Sequence, residues 1–138
     1  MQNLFVYSHL DCLLKTNGIN HPERKERLET IIKSISDIKN IPLIIKDAPI
    51  ADLSTINLVH QEKYVNELLN KIPKFGLVTV EEEPYADTFL CPNSKNAILR
   101  ACGSGIAAAD DLIKNNTNRI FCAVRPPGHH AETIKSLG

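Results

Sequence analysis

The sequence predicts an α/β protein built on a parallel sheet, and two observations support this prediction. Short apolar runs typical of buried strands occur at residues 4–8, 43–45 and 120–124. Segments with helical patterns separate these runs, and parallel strands of one sheet need such connections between them. Strands that alternate with helices therefore favour a single parallel sheet with helices on both faces.

The first half of the chain contains the clearest helical pattern. A polar loop at 17–20 leads to His21 and Pro22, and proline suits the first position of a helix. Apolar side chains then recur on one stripe, which predicts a helix of about four to five turns with one face on the sheet. The stripe consists of Leu28, Ile31, Ile32, Ile35 and Ile38. Asn40 and Pro42 end this helix before the second strand.

The second half adds shorter elements and one long helix. Asp52 is predicted to cap a short helix that runs to Val59, and another helix is predicted at 62–72. Residues 77–80 are predicted to be a strand or an extended loop. A long helix is predicted within 92–113, with mostly small side chains on one face that allow close packing. These are Ala97, Ala101, Gly105, Ala108 and Leu112.

Length and composition predict one soluble globular domain and exclude some partners. The chain has 138 residues, of which 43% are hydrophobic and 23% charged. It has 16 Lys and Arg against 16 Asp and Glu, so no net field would hold it on nucleic acid or on an anionic membrane. We therefore expect no nucleic-acid partner and no membrane partner. No feature of the sequence assigns an oligomeric state.

The start of the chain and its cysteines indicate a cytoplasmic protein. The first residues contain neither the basic segment of a signal peptide nor an apolar stretch long enough to span a membrane. The four cysteines form no CxxC pair, which favours reduced thiols over a disulfide framework or a zinc knuckle. They are Cys12, Cys91, Cys102 and Cys122.

The most informative segment follows the last predicted strand. Pro126 and Pro127 cannot continue a strand, since each lacks an N–H group and has a fixed φ. Gly128 then permits a backbone conformation that other residues avoid. Adjacent side chains of an extended chain point to opposite sides, so His129 and His130 can serve one site only if the backbone leaves strand geometry. The segment therefore predicts a stiff turn that presents paired imidazoles.

Four segments of the chain, in order, resemble a known family. The clearest is Arg-Pro-Pro-Gly-His-His-Ala at 125–131, with His-Pro-Glu-Arg-Lys-Glu-Arg-Leu at 21–28, Val-His-Gln-Glu-Lys-Tyr-Val at 59–65 and Asp-Thr at 87–88. This pattern resembles the zinc-dependent histone deacetylases and the bacterial acetylpolyamine amidohydrolases. The resemblance implies a three-layer sandwich around a parallel sheet. It also implies that residues 1–138 are the N-terminal part of a single deacetylase-like catalytic domain.

The resemblance assigns roles to five residues. His130 matches the histidine that accepts the proton of the attacking water, and His129 matches its electrostatic and hydrogen-bonding neighbour. Asp87 matches a rim aspartate that accepts hydrogen bonds from the substrate. Gly138 matches the glycine that opens the Gly-Phe-Cys segment of the family, where we expect substrate binding. Arg24 matches an arginine that lines a channel behind the active site.

The implied cofactor is zinc, but the chain lacks the implied ligands. The family holds zinc with an Asp-x-His pair and a second Asp, and these lie beyond the point that corresponds to Gly138. His9 and Asp11 form only a His-x-Asp pair, which we interpret as structural. We therefore expect no metal ligand in these residues and no activity from them alone. The complete family domain would hydrolyse an acetylated small-molecule or peptide substrate.

Two other functional hypotheses stay open from sequence. In the first hypothesis, the chain is a non-catalytic remnant or binding fragment of the same fold. In the second it is a nucleotide-binding α/β domain, because residues 103–108 fit the pattern GxGxxA. That pattern requires a preceding strand and an acidic residue about 20 positions later, and both are missing here. Packing of small residues explains the glycines better.

Overall fold

Strands and helices alternate throughout residues 3–82 and 86–136, the part of the chain that the computed structural model describes. In chain order the elements are β1 (Leu4–Ser8), α1 (Asp11–Leu14), α2 (Lys25–Ser36), β2 (Leu43–Asp47), α3 (Leu53–Ile56), α4 (Glu62–Asn70), β3 (Val78–Thr79), β4 (Phe89–Leu90), α5 (Ser94–Ile113) and β5 (Ile120–Cys122). Within these ranges no helix has both the length and the apolar character needed to cross a membrane.

The main sheet has three strands in the order β2-β1-β5, and β1 pairs in parallel with both neighbours. Phe5 lies beside Ile44 on one side and beside Ile120 on the other. The three apolar runs predicted as strands are the strands of this sheet, which confirms the predicted α/β fold. Because the strands run in one direction, the loops that follow β1 and β5 leave from the same edge.

A helix covers each face of this sheet. Alternate residues of β1 point to opposite faces. Val6 belongs to a buried cluster with Cys12 and with Leu28 of α2 on one face. On the other face, Tyr7 Oη donates a hydrogen bond of 2.7 Å to Asp111 Oδ2 of α5. The helices α2 and α5 are therefore the outer layers, and the sheet is the middle one.

Asp111 ties the outer helix α5 to two strands. Its carboxylate accepts hydrogen bonds from Lys46 Nζ at 2.6 Å, Asn116 Nδ2 at 2.7 Å and Tyr7 Oη at 2.7 Å. These bonds, with that from Lys46 the strongest influence, lower the pKa of Asp111 from 3.8 to about 2. Because folding lowers the pKa of Asp111, its ionised carboxylate stabilises the fold at pH values above the ordinary pKa of 3.8. This contribution is lost as the pH falls towards 2.

Several boundaries differ from the sequence prediction. The helix α2 begins at Lys25 rather than Pro22, because Arg24 keeps an extended backbone with φ −142° and ψ 157°. Ile31 of the predicted apolar stripe is 40% exposed, whereas Leu28 of the same stripe is 3% exposed. Asp52 precedes α3 as predicted, but its side chain makes no capping hydrogen bond. The short helix α1 and the strand β4, which pairs with β3, were not predicted.

Of the two glycines of α5, Gly103 has a packing role. A Cβ atom at Gly103 would lie 2.0 Å from the carbonyl oxygen of Pro49, so the absence of a side chain lets the helix touch this loop. A Cβ atom at Gly105 would meet no atom within 4 Å. Both residues lie inside the helix rather than in a loop between a strand and a helix. This position favours packing over the phosphate-binding role that the GxGxxA pattern suggested.

We predict opposite effects for alanine at these two helical positions. Gly103→Ala should lower the free energy of unfolding by about 1–3 kcal/mol, since the added methyl group overlaps backbone atoms of the 49–51 loop. Gly105→Ala is the matched control and should raise the stability by roughly 0.5–1 kcal/mol, because alanine is the better helix former. Urea denaturation followed by circular dichroism measures both. Equal stabilisation by the two substitutions would contradict the described contact.

Candidate active site

The histidine loop, residues 126–130, begins shortly after β5, from which residues 123–125 separate it. The Arg125–Pro126 peptide bond is cis, and Gly128 has a φ of +63° that residues with a Cβ rarely adopt. Gly128 thus provides the departure from strand geometry that the sequence predicted. His129 and His130 are both exposed, and their ring centroids lie 3.9 Å apart at an interplanar angle of 46°. The turn therefore brings two adjacent imidazoles to one side of the chain.

Arg125 anchors this loop in the protein interior. Its side chain is 4% exposed. The guanidinium donates to both carboxylate oxygens of Glu23, at 2.6 Å and 2.9 Å. It also donates to the carbonyl oxygens of Cys12 at 2.8 Å and Lys15 at 2.7 Å. One side chain consequently joins the end of β5 to α1 and to the segment that precedes α2.

The surroundings of Glu23 complete a buried polar cluster. Asn17 Nδ2 donates to the Glu23 carboxylate at 2.6 Å, and Lys15 Nζ lies 3.7 Å from it. Burial alone would raise the pKa of Glu23, but the hydrogen bonds and charge of Arg125 outweigh it, and the pKa falls below its ordinary value. Burial lowers the pKa of Lys15. Glu23 is therefore the anion that balances two buried cationic side chains.

A cleft of about 470 Å³ opens beside the histidine loop. Its wall is mainly apolar and includes Leu53, Ile56, Val65, Leu68, Leu90 and Leu99. Gly128 and Ala131, which precede and follow the two histidines in the sequence, both line the cleft. The volume lies within the range of about 300–1,000 Å³ that is usual for small-molecule sites.

Asp87 also lines the cleft, in the segment that connects β3 to β4. Its side chain is 72% exposed, and its Oδ1 atom lies 3.5 Å from His21 Nε2. The backbone N–H groups of Asp87 and Thr88 donate to Glu81 Oε2 at 3.3 Å and 2.9 Å. The exposed carboxylate of Asp87 thus lines a mostly apolar cleft, and the carboxylate of Glu81 binds the backbone that carries it.

The segment that follows the histidines is held by the turn before α4. Gln61 donates its backbone N–H to the carbonyl oxygen of Thr133 at 3.1 Å. His60 Nδ1 lies 2.8 Å from the carbonyl oxygen of Glu132, and the rings of His60 and Tyr64 are 6.1 Å apart. His60 and Tyr64 therefore pack against each other, and His60 also fixes this segment.

The predicted site residues are only partly brought together. Asp87 lines the cleft, whereas His129 and His130 do not line it, although Gly128 and Ala131 on either side of them do. Arg24 is exposed at the start of α2 and does not line this cleft, whereas Arg27 lines a smaller cleft of about 130 Å³. Gly138 lies outside the described residues. The sequence did not indicate the anchoring role of Arg125, although its position in the Arg-Pro-Pro motif was the available signal.

The described residues do not fit a zinc site. Across 3–82 and 86–136, no three His, Cys, Asp or Glu side chains come together in a way that could hold a metal ion. His9 Nδ1 lies 3.1 Å from Asp11 Oδ2, and Arg100 Nε donates to the same oxygen at 3.0 Å. The His-x-Asp pair is thus part of an ion-pair network with α5, as the structural interpretation held.

Comparisons with known proteins agree on one family. The model of the histone deacetylase domain matches residues 21–138. Type-2 histone deacetylase 2 of Dictyostelium discoideum is 32% identical over 135 residues, which cover 80% of this chain and 8% of that protein. A probable deacetylase of Archaeoglobus fulgidus is 27% identical over 136 residues, which cover 96% of this chain and 36% of that protein. The chain thus spans well under half of the length of these relatives.

Solved structures support the fold. The crystal structure of the HDA15 HD domain superposes with a TM-score of 0.84 at 22% identity, over 100% of this chain and 40% of that one. The histone deacetylase Clr3 superposes with a TM-score of 0.57 at 19% identity, over 95% of this chain and 23% of that one. The three-layer α/β architecture is therefore that of deacetylase domains, here as an N-terminal portion.

We predict that Glu23→Gln is strongly destabilising. The substitution removes the anion beside the buried Arg125, and an unpaired buried charge costs about 3–5 kcal/mol. Glu26→Gln is the matched control, because Glu26 is exposed in the first turn of α2 and should change stability by less than about 0.5 kcal/mol. Urea midpoints, or loss of the folded circular dichroism signal, compare the two. Similar small losses would contradict the anchoring role of Arg125.

Proposed function

The chain belongs to the histone deacetylase domain family, and from this membership we propose that it is the N-terminal portion of a zinc-dependent deacetylase that hydrolyses N-acetyl amides. The observation that carries the proposal is the arrangement beside the cleft. A buried arginine anchors a loop with two exposed imidazoles, and the loop borders an apolar cleft with a carboxylate over it.

The histidine pair supplies the acid–base groups of the proposed reaction. His130 accepts the proton of the attacking water and returns it to the departing amine nitrogen. His129, whose ring lies 3.9 Å from that of His130, stabilises the charge that develops on the carbonyl oxygen. Imidazole suits both roles because its unperturbed pKa of about 6.5 is close to neutral pH.

The cleft supplies the binding groups of the proposed reaction. Its apolar wall suits the methylene chain of acetyl-lysine or of an acetylated polyamine. Asp87, exposed over the cleft, accepts a hydrogen bond from an N–H group of the substrate. Arg24 as a channel residue and Gly138 as a substrate-binding residue remain proposals that derive from the family pattern.

Zinc is proposed as the cofactor of the complete domain only. The family pattern assigns its ligands to an Asp-x-His pair and a second Asp, and the described residues contain no substitute set. We therefore assign no step of the reaction to zinc in these residues. A role without catalysis, as a binding fragment of the same fold, is the alternative that the hydrolysis assay below distinguishes.

We predict that the 138-residue chain binds zinc no more tightly than scattered surface histidines. Tight binding requires a closed ligand set, and a structural site contributes its affinity only when the ligands converge. Metal analysis after gel filtration into metal-free buffer measures the retained zinc. One zinc per chain that survives this exchange would reveal a ligand set among residues outside the described ranges or in another conformation.

We predict unequal losses for the two histidines in a domain completed with the family segments that residues 1–138 lack. His130→Ala should lower kcat by about 10²–10⁴-fold, because it removes a positioned general base, and His129→Ala should lower kcat less. His9→Ala is a control that removes a histidine distant from the cleft. The assay is hydrolysis of a fluorogenic acetyl-lysine peptide. No hydrolysis by the completed wild-type domain would favour the non-catalytic alternative.

A further inference from the structure

The carboxylate of Asp87 faces a buried nitrogen atom. His21 Nε2 lies 3.5 Å from Asp87 Oδ1, and the imidazole is 15% exposed while Asp87 is 72% exposed. The Nε2 atom itself is shielded from solvent and makes no full hydrogen bond to any described residue. A buried donor without a partner costs about 1–3 kcal/mol, so an acceptor at this distance is favoured to turn towards it.

Contacts on the other side of the imidazole fix its orientation and its tautomer. The backbone N–H of Glu23 donates to His21 Nδ1 at 3.0 Å. In the neutral ring, a nitrogen that accepts leaves the proton on the other nitrogen, so Nε2 carries the N–H that faces Asp87. The ring of Phe89 packs edge-on against His21, with centroids 5.4 Å apart and an interplanar angle of 76°. His21 therefore presents one donor in one direction.

The backbone under Asp87 is held independently of His21. Glu81 Oε2 accepts the N–H groups of Asp87 and Thr88. Burial would raise the pKa of Glu81, but its hydrogen bonds from Thr88 and Asp87 outweigh burial and lower the pKa, so the carboxylate stays charged and keeps accepting near neutral pH. Only the side-chain torsions of Asp87 remain free, and those are the torsions that His21 restrains.

We propose that His21 is a positioning residue, whose Nε2–H orients the Asp87 carboxylate over the cleft while Glu81 fixes the backbone below it. The inference rests on the proposed function, because it gives Asp87 the role of a substrate acceptor. His21 lies two residues from Glu23, which holds Arg125 and the histidine loop. The short segment 21–23 therefore contacts both the carboxylate of Asp87 and, through Arg125, the histidine loop.

The expected kinetic effect is on substrate binding. His21→Phe keeps a ring against Phe89 but removes the donor, so an acetyl-lysine peptide should bind more weakly, with KM raised roughly 3- to 10-fold and kcat changed less than twofold. His21→Gln places an amide donor near the Nε2 position and should recover most of the loss. In an Asp87→Ala background, which has no side-chain acceptor, His21→Phe should raise KM no further. The experiment uses a domain completed with the family segments that residues 1–138 lack, and His9→Phe is the matched control of similar burial on a different contact.

A second measurement does not depend on activity. Imidazole nitrogen resonances of the same protein should show His21 with its proton on Nε2, and Asp87→Asn should shift the Nε2 signal while the Nδ1 signal stays in place. A proton on Nδ1, or a spectrum indifferent to Asp87→Asn, would overturn the proposal. Equal KM increases for His21→Phe with and without Asp87 would also overturn it. If the wild-type domain hydrolyses no acetyl amide, the proposed function fails and the substrate role of Asp87 fails with it, and the spectrum alone decides whether His21 holds the carboxylate.

Discussion

The buried ion pair of Arg125 and Glu23 is the interaction on which the candidate site depends. Transfer of a guanidinium out of water is costly, and excellent geometry is needed to offset that cost. Here four hydrogen bonds provide it, two to the carboxylate and two to the carbonyl oxygens of Cys12 and Lys15. Lysine could not replace this planar fork, because its single ammonium group cannot reach three segments at once. Arg125 immediately precedes the histidine loop, so the place of both imidazoles follows from this side chain.

The topology of the sheet explains why such distant residues meet. β1 is near the start of the chain and β5 near the end, yet they are neighbours and run in parallel. Their carboxyl ends therefore lie at one edge, where α1 and the histidine loop begin. Arg125 at the end of β5 needs only its own length to reach the carbonyl oxygens at 12 and 15. The strand pairing brings the ends of β1 and β5 together, and the hydrogen bonds of Arg125 stabilise this arrangement.

Periodicity and turn chemistry account for what was predictable from sequence. The apolar strands, the long helix α5 and the positive φ of Gly128 all follow from local patterns, and the structure has each of them. The start of α2 did not follow from Pro22, because Arg24 has an extended backbone and Glu23 before it binds Arg125, a partner far along the chain. The sequence also did not predict the role proposed for His21. Its Nδ1 atom accepts from the nearby backbone N–H of Glu23, but its Nε2 atom faces Asp87, which is far along the chain. Local rules cannot detect a partner that only the fold supplies.

Three of the histidines near the cleft illustrate two ways in which a fold uses imidazole. His21 has one nitrogen occupied by the N–H of Glu23 and its ring packed on Phe89, so one tautomer is fixed. His129 and His130 follow Gly128, whose φ is +63°, and receive no hydrogen bond from any described residue. A fixed tautomer suits a residue that orients a neighbour, whereas acid–base work needs a proton that can leave and return. The fold therefore restricts the histidine that positions and fixes only the location of the two proposed to react.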